Sequence, residues 1–180
     1  MARAPLLFQP DMVRAVLADR KRQTRRLHRL GDPGDVLWMK ESYRLRPQWD
    51  TTGPAKVPHG AEVFYPATWD RTADDGFGWG KLRPSIFMCM WMSRQDLLLT
   101  DVREQPLQAI TEEDAIAEGI VAHRKGGWHW EQPPAGLLGT NHFGFKTARD
   151  AFMMLWESIN GRGSWADNPT VFAHTFERVT

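Results

Sequence analysis

At 180 residues, with 42% hydrophobic and 25% charged side chains and a net charge of +1, the chain has the composition of one soluble globular domain with a sizeable core. Its longest apolar run, Ile86 to Met92, falls far short of the ~20 residues of a membrane helix, and Met1 to Phe8 lacks the long apolar stretch and cleavage site of a secretory signal, so a cytoplasmic location is expected. The single cysteine, Cys89, excludes an internal disulfide and a cysteine zinc cluster.

Leu6-Leu7-Phe8 reads as a short buried strand. Pro10-Asp11 then marks a break, with Asp11 able to cap a helix whose buried stripe is Met12, Val13, Val16 and Leu17 and which ends near Asp19. A basic stretch follows and runs into a turn or strand around Thr24. Gly31 to Asp35 is a turn cluster, and Val36 to Lys40 suits a strand. Residues 46–84 read as an inserted excursion rich in Pro, Gly and Asp, anchored by Trp49, Trp69 and Trp79, with one short strand at Ala61 to Tyr65. A longer strand is expected from Ser93 to Glu104. Thr111 is placed to cap the next helix, with Asp114 in the capping-box position and Gly119 at the exit. A second excursion covers 123–145. Thr147 to Asp150 opens another helix, with Phe152, Leu155, Trp156 and Ile159 on one stripe and Asn160-Gly161 as its stop. Val171 to Phe176 is a closing strand. No repeat or linker interrupts the chain, so 1–180 reads as a single α+β domain in which a small barrel or strongly bent sheet carries helices at its ends.

The net charge hides an asymmetry. Residues 1–46 hold 11 Lys/Arg against 5 Asp/Glu, and Arg20, Lys21, Arg22, Arg25, Arg26 and Arg29 fall within ten positions. Such a density suits either an anionic partner, such as a nucleotide or an RNA backbone, or a solvated face at a helix C-terminus. Gln23 and Thr24 inside the run argue against a purely electrostatic arm. Glu118, in the last turn of its helix where the dipole disfavours negative charge, calls for solvent or a cationic partner, which the basic stretch can supply. None of the six histidines forms the paired spacing of a zinc site, so neither a metal nor a cofactor is expected. Cys89, among methionines, reads as an inert thiol. There is no P-loop, dinucleotide-binding glycine pattern or serine-hydrolase elbow.

Asp19-Arg20-Lys21-Arg22-Gln23-Thr24-Arg25-Arg26 resembles the signature of the ASCH superfamily, domains similar to the RNA-binding PUA barrel. That signature runs glycine, then lysine two positions on, glutamate or threonine three further, and arginine two beyond. Lys21, Thr24 and Arg26 fit, and Asp19 replaces the glycine. Threonine at position 24 resembles the small bacterial ASCH enzymes that hydrolyse N4-acetylcytidine with a lysine, a threonine and a glutamate. The placement of Leu107 to Glu118 carries the third role onto Glu118. The resemblance also takes in Gly34 to Leu37 and the final strand, and it leaves out both excursions. Trp38 to Ser42, Arg83 to Ile86 and Trp156 to Asn160 resemble longer ASCH-domain proteins of phages and prophages.

The resemblance implies a metal-independent amidohydrolase of N4-acylcytosine nucleosides. In it Lys21, Thr24 and Glu118 are catalytic, Phe8 stacks on the base and Arg26 holds the oxyanion; Glu41 and Arg83 are further candidates for base or sugar contacts, with structural pairing the competing expectation for each. The competing expectation is an RNA-binding or RNA-cleaving PUA-like module, whose affinity falls steeply with salt.

Overall fold

Five stretches of strand-forming sequence pair into one sheet. They are β1 (Arg3–Leu7), β2 (Gln23–Arg26), β3 (Val36–Lys40), a long strand at Asp96–Pro106 and the closing strand at Thr170–Val179. The structure is a computed structural model that describes residues 2–68, 78–123, 126–130 and 144–179. Two further strands, β4 (Arg44–Leu45) just before the first excursion and β5 (Val63–Phe64) within it, form a separate antiparallel pair. The Asp96–Pro106 strand is therefore β6, and β7 (Val121–Ala122) and β8 (Trp128–His129) make another small pair before β9 at Thr170–Val179.

The main sheet runs β1-β3-β6-β9-β2, with β1 parallel to β3 and every other pair antiparallel. All five residues of β3 are buried, as in a strand covered on both faces. β6 and β9 pair along most of their length, with a register shift between Leu99 and Asp101 that bends the strand. The two edge strands β1 and β2 share no backbone ladder, so the sheet is not closed by main-chain pairing. It curls enough, however, for Arg26 at the end of β2 to donate from Nη2 to the Leu7 carbonyl at the end of β1, at 3.2 Å.

α1 (Pro10–Leu17) lays Val13 and Val16 on the sheet against Leu6, Leu37, Leu97 and Phe176. Pro10 opens this helix at its first position, where a missing N–H matters least. The residue before it is Gln9, and no side chain caps the end, so Asp11 lies in the first turn and is not the expected cap. α2 (Glu112–Ala117) and α3 (Ala148–Asn160) begin as expected, Thr111 and Thr147 accepting from the Asp114 and Asp150 amides at 3.1 and 3.0 Å. These two helices share a second core around Leu107, Phe152, Trp156 and Trp165.

Val57 of the first excursion shares a separate small core with Tyr43, Leu45, Met88 and Met92, which flank the excursion in sequence. Pro47, Pro54 and Pro66 each open a single 3-10 turn within it. Trp79 stacks on Phe64 with centroids 4.9 Å apart, while Trp69 and most of the second excursion lie outside the described residues. The expected strand from Ala61 to Tyr65 contracts to β5, and the strand expected from Ser93 to Glu104 begins at Asp96. Among the described residues no helix is long and apolar enough to cross a membrane.

Candidate functional site

The chain leaves α1 through Asp19, whose φ of +59° lies in the left-handed region that glycine, asparagine and aspartate tolerate best. The next two amides, of Arg20 and Lys21, both donate to the Ala15 carbonyl at 2.9 and 3.0 Å, and that of Arg22 donates to the Ala117 carbonyl at 2.8 Å. The start of the basic stretch is thereby pinned between the C-terminal ends of α1 and α2, where exposed carbonyls favour cations.

This pinning delivers Lys21 to Glu118. Lys21 Nζ donates to Glu118 Oε2 at 2.6 Å and to the Glu118 carbonyl oxygen at 2.9 Å, with both side chains almost wholly buried. The other carboxylate oxygen, Oε1, accepts from Arg25 Nη1 at 3.1 Å. Arg25 is fully buried and also donates to Gln23 Oε1 at 2.7 Å and, from Nη2, to Asp114 Oδ2 at 2.7 Å. Asp114 in turn accepts from Arg103 Nη2 at 2.8 Å near the surface. Burial holds Lys21 below the usual lysine range; Glu118 opposes that shift, and Arg26 and Arg25 add to it. Burial pushes Asp114 up, but Arg103, Arg25 and Gln23 together outweigh it and leave its carboxyl below the usual value.

Lys21 and Glu118 sit on the floor of a cavity of about 520 Å³, within the range of small-molecule sites. Phe8, Arg25 and Arg26 line it as well, and α3 contributes Phe152, Leu155, Trp156 and Ile159. The Phe8 ring has the Lys21 ammonium 5.9 Å and the Arg26 guanidinium 6.0 Å from its centroid. Exposed Gln9, His28 and Asn160 stand at the mouth. The site is thus an apolar aromatic slot with a charged floor and a polar rim.

Of the residues singled out in the sequence, Phe8, Lys21, Arg26 and Glu118 converge here. Thr24 lies behind them: it is fully buried, is not part of the cavity lining, and its Oγ1 accepts from Arg26 Nη1 at 2.7 Å. Glu41 and Arg83 are elsewhere. Glu41 is buried in a bidentate pair with Arg94, at 2.7 and 2.9 Å. Arg83 ties the first excursion together by donating to the Trp49 and Thr52 carbonyls, and it lines a different cavity of about 400 Å³. Both serve internal pairing in this structure, because each finds its partner within the fold before any ligand arrives.

The basic run resolves in the same way. Lys21, Arg25 and Arg26 turn inward, while Arg22 and Arg29 pair with Asp19 and Asp32. Among the described residues no group of three or more metal-ligating side chains gathers.

In the sequence Arg25 stands only as one cation of the basic run and Asp114 only as a capping-box residue, and the α3 wall is not visible. Arg25 follows Gln23 by two positions on β2, so strand alternation puts both on the face turned toward Asp114. The α3 residues were legible as a helical stripe, but a stripe that lines a cavity has the same spacing as one that fills a core. Gly119, at φ +101°, would place a Cβ 3.3 Å from that of Lys21. Gly119→Ala is therefore expected to destabilise the protein by ~1–2 kcal/mol through backbone strain and to displace Lys21, read as a lowered urea midpoint together with weakened ligand binding. No family model matches this chain, and no match is found among the curated proteins or the solved structures.

Proposed function

We propose that this chain is an ASCH-type, PUA-like amidohydrolase, acting in the cytoplasm, that cleaves the N4-acyl amide of N4-acetylcytidine or a related N4-acylcytosine nucleoside to cytidine and a carboxylic acid. The observation that carries the reading is the buried Lys21–Glu118 contact on the floor of an aromatic-walled cavity. Amide hydrolysis needs a nucleophile, a group that takes its proton and returns it to the leaving nitrogen, and donors for the oxyanion. Burial lowers the Lys21 pKa against the opposing pull of Glu118, and a lowered value is the direction that a proton-accepting role requires. The Phe8, Phe152 and Trp156 rings suit a planar heterocycle.

In this mechanism Thr24 Oγ adds to the acyl carbonyl and gives its proton to Lys21 Nζ. Arg26, which caps the Thr24 hydroxyl at rest, must release it, and its guanidinium then faces the developing oxyanion. Collapse breaks the C–N bond as Lys21 returns the proton to N4, and cytosine leaves readily because its ring delocalises the departing electron pair. Water then attacks the acyl-threonine ester and gives a proton to Lys21, which Glu118 orients; collapse breaks the ester C–O bond as Lys21 returns that proton to Thr24 Oγ, and the acid departs. No step calls on a metal or other cofactor.

The test is chromatography of N4-acetylcytidine with purified protein, with hydroxylamine added to trap an acyl-enzyme. Wild-type protein is expected to release cytidine and form acetohydroxamate. Thr24→Ala is expected to lose at least ~10³-fold in kcat and to form no hydroxamate; unchanged turnover in that variant removes Thr24 as nucleophile. Absence of turnover in the wild type, with salt-sensitive RNA binding or cleavage in its place, replaces the amidohydrolase by the RNA-directed module. The inward turn of Lys21, Arg25 and Arg26 weighs against that alternative, because those cations are withdrawn from any phosphate backbone.

A further inference from the structure

Charged side chains alternate in sign from the cavity floor to the surface: Lys21, Glu118, Arg25, Asp114, Arg103. The proposed reaction uses only the first two. The middle member is the unusual one, since a wholly buried arginine is costly unless its surroundings compensate it. Arg25 touches both carboxylates, one through each terminal nitrogen, and so cannot bind Glu118 without also answering to Asp114. Glu118 is divided in the same manner, one oxygen toward Arg25 and one toward Lys21.

We propose that Arg25, anchored by Asp114, is a positioning residue that divides the Glu118 carboxylate between two cations and so fixes how, and in what protonation state, Lys21 meets the substrate. The proposal rests on the amidohydrolase reading for its kinetic consequence but not for its physical core. If Glu118 belonged to Lys21 alone, the lysine would be held as a fully compensated ammonium, a poor base. Arg25 withdraws part of that compensation. Asp114 limits the withdrawal by claiming the other side of Arg25, and Arg103 limits Asp114.

Among the described residues, few charged groups face Lys21. α2 presents Glu118, β2 presents Arg25 and Arg26, and the turn before β2 holds Arg20, together with Arg22 in its pair with Asp19. The cavity side offers His28 at the rim and the uncharged Phe8, Phe152 and Trp156. Among these, Arg25 is the group tied to Glu118 by a direct hydrogen bond without itself lying at the cavity mouth.

The substitutions that test this leave every carboxylate a cation. In Arg25→Gln, Glu118 keeps Lys21 and Asp114 keeps Arg103; in Asp114→Asn, Arg25 keeps Glu118 and Gln23. Two readouts are taken on each folded protein: the pH dependence of kcat with N4-acetylcytidine, and the titration of the Lys21 side chain by ¹³C NMR of labelled lysine, assigned through Lys21→Arg. Arg25→Gln is expected to move the Lys21 midpoint and the acid limb of the rate profile upward and to lower kcat on the order of 10²-fold through misplacement. Asp114→Asn is expected to move both downward, since Arg25 then pulls harder on Glu118. Arg25→Lys is expected to return the midpoint toward wild type.

Opposite shifts are not what general loosening of the structure produces, and circular dichroism with thermal melting verifies folding. Midpoints that stay in place in folded Arg25→Gln and Asp114→Asn overturn the proposal. If Arg25→Gln does not fold, an unmoved midpoint in Asp114→Asn overturns it alone. If wild-type protein does not hydrolyse N4-acetylcytidine, the amidohydrolase reading fails, while the NMR titration still decides the role of Arg25.

Discussion

Lys21→Met is expected to remove turnover of N4-acetylcytidine by ~10²–10⁴-fold, the range for loss of a general acid–base group, while leaving the protein folded; Glu118→Ala is expected to lose both. The contrast follows from which charge each substitution strands. Without Lys21, Glu118 still has Arg25 as its cationic partner, and a methionine of similar size fills the space of the lysine. Without Glu118, Lys21 loses both its carboxylate and its place, and Arg25 loses one of its acceptors, an arrangement that costs about 3–5 kcal/mol. Steady-state kinetics and urea midpoints on the two variants separate the effects, and a Lys21→Met protein within a few-fold of wild-type kcat would defeat the assigned role. A pH signature accompanies it. Burial lowers Lys21 in the folded state, so the unfolded chain binds the extra proton, and stability rises as pH climbs from the lowered value toward 10.5. Lys21→Met should lack that rise.

Arg94→Met is expected to destabilise the protein by about 3–5 kcal/mol at neutral pH without altering kcat or KM per folded molecule. Glu41 is buried, and Arg94 supplies both of its charged hydrogen bonds while stacking on Tyr65 at 4.3 Å. Burial already pushes the Glu41 carboxyl above 4.5, against the opposing pull of Arg94. A raised value means that the folded state binds the proton more readily, so this group's contribution to stability falls as pH rises through its folded pKa. Removing Arg94 widens that window, and the loss should be smaller near pH 4 than near pH 7. Guanidinium titrations at the two pH values measure it; a change in KM instead would return Glu41 and its partner to the substrate site.

The elements of this protein were largely written in local chemistry. Apolar spacing marked α1 and α3, Thr111 and Thr147 marked two helix starts through the side-chain oxygens they offer, and the turn at Gly31 to Asp35 marked the entry to β3. Errors fell where competing local signals carried equal weight. Asp11 is a good capping residue, but Pro10 ahead of it is a better first helical residue, so the boundary moved two positions, from Asp11 to Gln9. The short strands β4, β7 and β8 form two-residue ladders, which carry too little pattern to be read in advance, and β5 is shorter than its sequence suggests.

For the site, the sequence by itself determined the ingredients and one constraint: six cations in ten positions, and a glutamate at a helix C-terminus that required a positive partner. Which cation meets it was a tertiary decision. Lys21 reaches Glu118 because the Ala15 and Ala117 carbonyls fix the chain between two helices ninety-odd residues apart, and Arg25 reaches both Glu118 and Asp114 because strand alternation turns it to their side. The same folding took Glu41 and Arg83 away from the cavity, set Thr24 behind Arg26, and turned the α3 stripe into a wall. Residue type fixes what a group can do, but reach and burial fix what it meets, and those depend on contacts that no local stretch of chain contains.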